Sequence, residues 1–240
     1  METTIYVDEC DVRSSVIRIG NGVAEKTSGY PDLIENEINI LKKIGYHPNI
    51  VQFIHVVENG FAMTGVKYGL NLYDYCITGR HHLISREAFD AKSCIDMIIQ
   101  VSKGLSYLHN LNIIHHDLKD KNILVDNVKG KYKLLICDFG LSEIADENGF
   151  GNFENRGNGT QYSIAPEQHE QIKITNKIDI YAFGGICNEI VMKGRTSQEF
   201  FSHFPYIARL TYLCQDRNPD VRPTISEILD LLIKISDILM

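Results

Sequence analysis

Apolar residues along this chain change their spacing near residue 67, and that change divides it into two regions. Up to that point they fall in short runs that read as strands, at Ser15–Gly20, Gly22–Thr27, Gln52–Glu58 and Gly60–Val66. Gly20-Asn21-Gly22 joins the first two as a tight turn, because these residues tolerate positive φ. One helix interrupts the strands. Pro31 suits its first turn, Asp32 and Glu35 favour its positive end, and Ile34, Ile38 and Leu41 recur at helical spacing. After residue 85 the pattern turns helical. Cys94, Ile98, Val101, Leu105 and Leu108 form one apolar stripe, which reads as core. The last helix opens after Pro223 with Thr224-Ile225-Ser226-Glu227, a capping-box pattern, and continues through Ile228, Leu232 and Ile235. Between these helices a strand pair is expected near Ile123–Val125 and Lys133–Ile136.

Composition narrows the class. The 240 residues are 44% hydrophobic and 23% charged, enough apolar material for a substantial core. A net charge of −7 argues against a dominant nucleic-acid or anionic-membrane surface. The start, Met-Glu-Thr-Thr-Ile-Tyr, lacks the basic-then-apolar run of a signal peptide, and no uninterrupted apolar run reaches membrane-spanning length. Cys10, Cys76, Cys94, Cys137, Cys187 and Cys214 are scattered with no C-x-x-C pair, which fits buried reduced thiols better than disulfides or a zinc site. An intracellular, cytoplasmic protein is expected.

The chemistry concentrates in Ile113-Ile114-His115-His116-Asp117-Leu118-Lys119-Asp120-Lys121-Asn122 and, sixteen positions after Asn122, in Asp138-Phe139-Gly140. Each Asp or Asn alone on a turn would read as a turn residue bonding its own backbone. Together, Asp117, Lys119, Asn122 and Asp138 supply what phosphoryl transfer from ATP needs. The requirements are oxygens for magnesium, a base for the acceptor hydroxyl, and a cation beside the moving phosphate.

At these residues the chain resembles the eukaryotic protein kinases. The family's H-R-D-L-K-x-x-N loop reads H-H-D-L-K-D-K-N, D-F-G is intact, and Ala165-Pro166-Glu167 follows Gly159-Thr160-Gln161-Tyr162-Ser163. Asp179-Ile180-Tyr181-Ala182-Phe183-Gly184 is similar to the helix start that anchors the catalytic loop, and Arg222 to the arginine that pairs with Glu167. The resemblance covers roughly residues 20–235. It implies that Asp117 accepts or orients the hydroxyl proton, that Lys119 neutralises the moving phosphate, and that Asn122 and Asp138 hold magnesium. It also implies that His115 is structural, packing beneath Phe139. Lys119 and Thr160 point to serine or threonine as acceptor, with Thr160 contacting Asp117 and Lys119.

The N-terminal region departs from the family. Val23-Ala24-Glu25-Lys26 is similar to the strand whose lysine holds the α- and β-phosphates, and Glu37 to its helix partner, yet the two lie unusually close in sequence. Either the helix has lost its first turn or the connecting loop is trimmed. A solvated strand lysine is the alternative for Lys26. No G-x-G-x-x-G precedes it. Val7-Asp8-Glu9-Cys10-Asp11-Val12-Arg13-Ser14-Ser15 stands there, without glycines to admit phosphates and with acids near a polyanion. His116 replaces the arginine that grips a phosphorylated segment in many members. The interval from Asp179 to Arg222 is short, so a helix often used for docking is expected to be shortened or absent.

The expectation is therefore an α+β, two-lobed protein-kinase-like fold in one catalytic domain over 1–240. Its small sheet-rich N-lobe takes about 1–67, its hinge about 65–72, and its larger helical C-lobe about 73–240. ATP and magnesium are the implied cofactors, bound between the lobes by Lys26, Glu37, Asn122 and Asp138. The implied function is ATP- and magnesium-dependent phosphoryl transfer to serine or threonine of proteins. The alternative is a pseudokinase, a binding module that modulates another kinase or its substrate. A small-molecule phosphotransferase fits less well, because Ala165-Pro166-Glu167 and the Arg222 segment accompany peptide-substrate kinases. Expected partners are a protein substrate and a regulatory protein or another kinase, with no nucleic acid and no membrane span.

Overall fold

The strands of the N-terminal region pair into one antiparallel sheet in the order β1-β2-β3-β5-β4. They are β1 Val7–Asp11, β2 Ser14–Gly20, β3 Val23–Ser28, β4 Phe53–Val57 and β5 Gly60–Thr64. The computed structural model describes residues 7–11, 14–20, 22–65, 70–78, 90–128, 131–151, 163–169, 174–194 and 198–238. The expected strands shift by one or two residues at their ends, and β1 is additional to them. The expected hinge lies partly outside the described residues.

Helix α1, Pro31–Ile44, follows β3 directly, with proline in its first turn. The loop is the part that has been trimmed, since only Gly29 and Tyr30 separate strand from helix. α1 buries Ile34, Ile40, Leu41 and Ile44, and on the same face it buries Glu37. A charge at a core-facing position demands a partner.

The remainder is built around α2, Ala91–Asn110, capped by Asp90, which accepts the Ser93 N–H at 2.7 Å. All five residues of its expected stripe are buried. Short strands β6 Leu70–Asn71, β8 Ile123–Val128 and β9 Lys131–Ile136 form a second sheet, and β7 Ile113–Ile114 pairs with β10 Glu143–Ile144. The helices that follow are α3 Pro166–His169, α4 Lys177–Gly194, α5 Gln198–Cys214 and α6 Ile225–Ile238. The capping box forms as expected: Glu227 Oε2 accepts the Thr224 N–H at 2.7 Å, and Thr224 Oγ1 accepts the Glu227 N–H at 3.3 Å. The sequence reading did not place α5. It carries Pro205 inside it, a residue that normally ends helices. Among the described residues α5 is the one α-helix between α4 and Arg222, followed by a single 3-10 turn at Pro219–Val221.

Two joints tie the first sheet and α1 to the rest. Residues 49–51 run beside β9: Ile136 N–H donates to Asn49 O at 2.9 Å and Val51 N–H to Ile136 O at 3.0 Å. Tyr107 of α2 donates its hydroxyl to Ile44 O, at the end of α1, at 2.8 Å. One connected cluster of buried residues runs from Ala24 to Ile235. Cys94, Cys187 and Cys214 are buried free thiols, and burial pushes Cys94 and Cys214 up to about 12, leaving them unreactive. Among the described residues no helix is long and apolar enough to cross a membrane.

Candidate active site

Ala24 and Lys26 alternate onto the buried face of β3, so the lysine ammonium enters the interior rather than solvent. It meets Glu37 Oε2 at 2.7 Å and Asp138 Oδ1 at 2.6 Å. The solvated alternative does not describe this side chain, which is 5% exposed. Gly60 fixes the strand behind it: a Cβ there would lie 2.0 Å from the Lys26 carbonyl oxygen, so any side chain would displace β3. Burial opposes the ammonium charge, but Asp138 and Glu37 outweigh it and hold Lys26 above the ordinary lysine value. Burial pushes Glu37 up, against the pull of Lys26. For Asp138 burial also favours the neutral form, yet Lys26 wins and holds it below the ordinary carboxylate value. One cation between two carboxylates leaves net negative charge, which a divalent cation would relieve.

The segment after Asp138 is held by α1. Glu37 Oε1 accepts the Phe139 N–H at 2.9 Å, while Asn36 Nδ2 donates to Gly140 O at 3.0 Å and Ser142 O at 2.9 Å. The Phe139 ring packs on His115 with centroids 5.0 Å apart, and His115 Nε2 contacts Cys137 O at 3.1 Å. Asp138 has φ of 68°, in the left-handed region. A non-glycine residue there costs about 1–3 kcal/mol and persists only where its surroundings hold it.

The catalytic-loop candidates hang from Asp179 at the start of α4. Its carboxylate accepts the N–H groups of His115 at 2.9 Å and His116 at 3.1 Å, and contacts His109 Nε2 at 3.0 Å. Asp117 Oδ2 accepts Lys119 Nζ at 2.7 Å and Asn122 Nδ2 at 3.1 Å. The other oxygen, Oδ1, is buried with no partner among the described residues. Asn122 also donates to Asp117 O at 2.7 Å, so the group it can offer a cation is its side-chain oxygen. Its carbonyl accepts the Cys137 N–H at 3.0 Å, which brings Asn122 beside the residue preceding Asp138. Among the described residues no group of three or more His, Cys, Asp or Glu could hold a metal. An amide oxygen and one carboxylate suit magnesium, which takes its remaining ligands from phosphates and water.

Away from this centre, Arg222 forms a two-pronged pair with Glu167, Nη1 to Oε1 at 2.5 Å and Nη2 to Oε2 at 2.8 Å. Both residues are buried. Arg222 also donates to Asp216 O and Lys177 O, and Lys177 Nζ donates back to Arg222 O.

The structure thus brings Lys26, Glu37 and Asp138 into one cluster and Asp117, Lys119 and Asn122 into another, joined through Cys137. Thr160 and Tyr162 lie outside the described residues, as do the side chains of Asp8, Glu9 and Asp11. For that loop the backbone alone is described: β1 and β2 pair closely, Asp11 opposite Ser14. Sequence reasoning missed Asn36 and Tyr107, and it missed Glu143, whose Oε1 lies 2.6 Å from His116 Nε2. A polar residue beside a buried Glu37 was the one signal available for Asn36.

The family described as the protein kinase domain matches residues 22–234. This chain belongs to the protein kinase family. A probable serine/threonine-protein kinase of Dictyostelium discoideum is 34% identical over 212 residues, covering 81% of this chain and 20% of that protein. Calcium/calmodulin-dependent protein kinase type 1B of Rattus norvegicus is 35% identical over 162 residues, 66% of this chain and 43% of its own length. A serine/threonine-protein kinase of Arabidopsis thaliana is 30% identical over 224 residues, covering 82% of this chain and 26% of the relative. The chain spans less than half the length of each of these relatives.

Proposed function

We propose that this chain is a single catalytic domain that transfers the γ-phosphoryl group of ATP to serine or threonine of a protein, with magnesium. The observation carrying this reading is Asp117. One of its oxygens is fixed by Lys119 and Asn122, and the other is buried without a partner among the described residues, free in this reading to take an acceptor hydroxyl. A buried carboxylate oxygen left without a donor is costly unless a ligand supplies one.

In this reading the hydroxyl oxygen bonds to the γ-phosphorus as the bond from that phosphorus to the β–γ bridging oxygen breaks. The hydroxyl proton goes to Asp117 Oδ1, and ADP leaves. Lys119 stands 2.7 Å from Asp117 and offsets charge on the moving group. Lys26, oriented by Glu37, binds the α- and β-phosphates. Asn122 and Asp138 would hold magnesium, which supplies charge neutralisation at the phosphate oxygens. The serine/threonine relatives support the acceptor class, and the reduced thiols suit an intracellular setting.

A second reading, a pseudokinase that binds another kinase or its substrate, is favoured by the hairpin of β1 and β2, which has no glycine between Val7 and Ser15. Labelled-phosphate transfer separates the two, to the protein itself and to a generic basic protein, with and without magnesium. Magnesium-dependent phosphoserine or phosphothreonine supports the kinase. Absence of transfer under every condition, with the protein folded, overturns it in favour of the binding module.

A further inference from the structure

His116 stands directly before Asp117, where the family's loop carries arginine. Its side chain is completely enclosed, and its Nε2–H donates to Glu143 Oε1 at 2.6 Å. Nδ1 is buried without a partner, so this is the one hydrogen bond the ring makes among the described residues. The His116 backbone has φ of 67°, a conformation that turns the chain toward Asp117 and that a non-glycine residue does not hold unaided. Asp179 restrains it from one side through the His116 N–H, and Glu143 from the other through the ring.

Glu143 is restrained in turn. It lies in β10, opposite Ile114 of β7. Ala145 N–H donates to Asn112 O at 2.7 Å, continuing the same attachment. A third residue converges on the same carboxylate oxygen: a Cβ on Gly151 would lie 2.1 Å from Glu143 Oε1. Gly151 cannot withdraw freely, because its N–H donates to Ile174 O at 2.8 Å. Only glycine there leaves room for the His116–Glu143 contact.

We infer that His116 and Glu143 are positioning residues, a histidine–carboxylate latch that orients Asp117 and fixes residues 143–151 without a phosphate group. The Glu143 oxygen serves as a built-in hydrogen-bond acceptor for the residue ahead of Asp117, and both partners are encoded in the chain. Phe139, Gly140 and Ser142, immediately ahead of this segment, are bonded to α1, so the latch adjoins the part of the site that α1 holds. The inference rests on the kinase reading insofar as Asp117 is the base.

The test uses Glu143→Ala, Glu143→Gln, His116→Ala, the double alanine variant and Gly151→Ala, all prepared free of phosphate. Glu143→Ala and His116→Ala are each expected to lower kcat about ten-fold with the KM for ATP unchanged, and the double variant to lose no more than either. Glu143→Gln retains most of the activity, because its amide oxygen accepts the same N–H, and Gly151→Ala behaves like Glu143→Ala. Amide exchange across 143–151 quickens in Glu143→Ala but not in Glu143→Gln. Additive losses, equal impairment of the Gln and Ala variants, or unchanged exchange would each overturn the latch. Wild-type protein without any transfer refutes the kinase reading instead, and the exchange measurement then still decides the latch.

Discussion

Lys26 and Glu37 form a buried ion pair at 2.7 Å although only 11 positions separate them, because just two residues lie between β3 and α1. Among the described residues Lys26 is the one cation bonded to both Glu37 and Asp138. Lys26→Met should therefore destabilise the protein by about 3–5 kcal/mol, the usual cost of leaving a buried charge unpaired. Lys26→Met combined with Glu37→Gln should recover part of that loss. Thermal melts of the wild type, both single variants and the double decide this. Equal melting of Lys26→Met and wild type would mean the pair adds nothing.

Asp117 and Asp138 carry the chemistry in the reading above. Asp117→Asn should lower kcat by about 10²–10⁴-fold, the range for losing a general base. Asp138→Asn should bring transfer below detection, because it removes the one carboxylate proposed for magnesium. Neither should change the circular dichroism spectrum, since Lys26 keeps Glu37 and Asp117 keeps its place in the loop. Near wild-type rates in either variant would remove that residue from its role.

Glu167 and Arg222 are both buried and bonded twice to each other. Glu167→Gln or Arg222→Met should each cost about 3–5 kcal/mol in chemical denaturation, since the remaining partner stays buried and charged. Arg222 loses more, because it also bonds Asp216 O and Lys177 O. A midpoint unchanged in both variants would argue that the pair opens in solution.

Asp179 gives a dependence on pH. Burial opposes its charge, but the His109 hydrogen bond and the backbone N–H of His115 hold its pKa below the ordinary 3.8. A depressed folded pKa stabilises the protein fully above the unfolded value and loses that contribution as pH falls through the folded one. The melting-temperature gap between wild type and Asp179→Asn should thus be widest near neutral pH and close progressively below pH 3.8. A gap that stays constant down through that range would assign the effect to packing rather than charge.

Much of this was legible in the residues. The α2 stripe and the Thr224–Glu227 capping box are local patterns, set within a few turns of one helix. Glu37 was legible only through its resemblance to the family's helix glutamate, and the structure places it on the buried face of α1. The hidden parts depend on contacts between distant residues. The His116–Glu143 contact spans 27 positions and rests on β7 and β10, each two residues long and too short to show a period. α5 was masked by Pro205, whose breaking tendency outweighs the apolar pattern when the sequence is read alone.

The bond from Tyr107 to Ile44 gives α1 a fulcrum. Glu37 lies seven residues from it, a lever arm of about 10 Å at the helical rise. Tilting the helix by about 15° would carry the Glu37 backbone roughly 3 Å, more than a hydrogen bond can stretch. Asn36 and Glu37 bond residues 139–142, so that swing would drag the chain on either side of Gly140 with it. The two arms of the site are geared together, and neither can disengage while the other stays home.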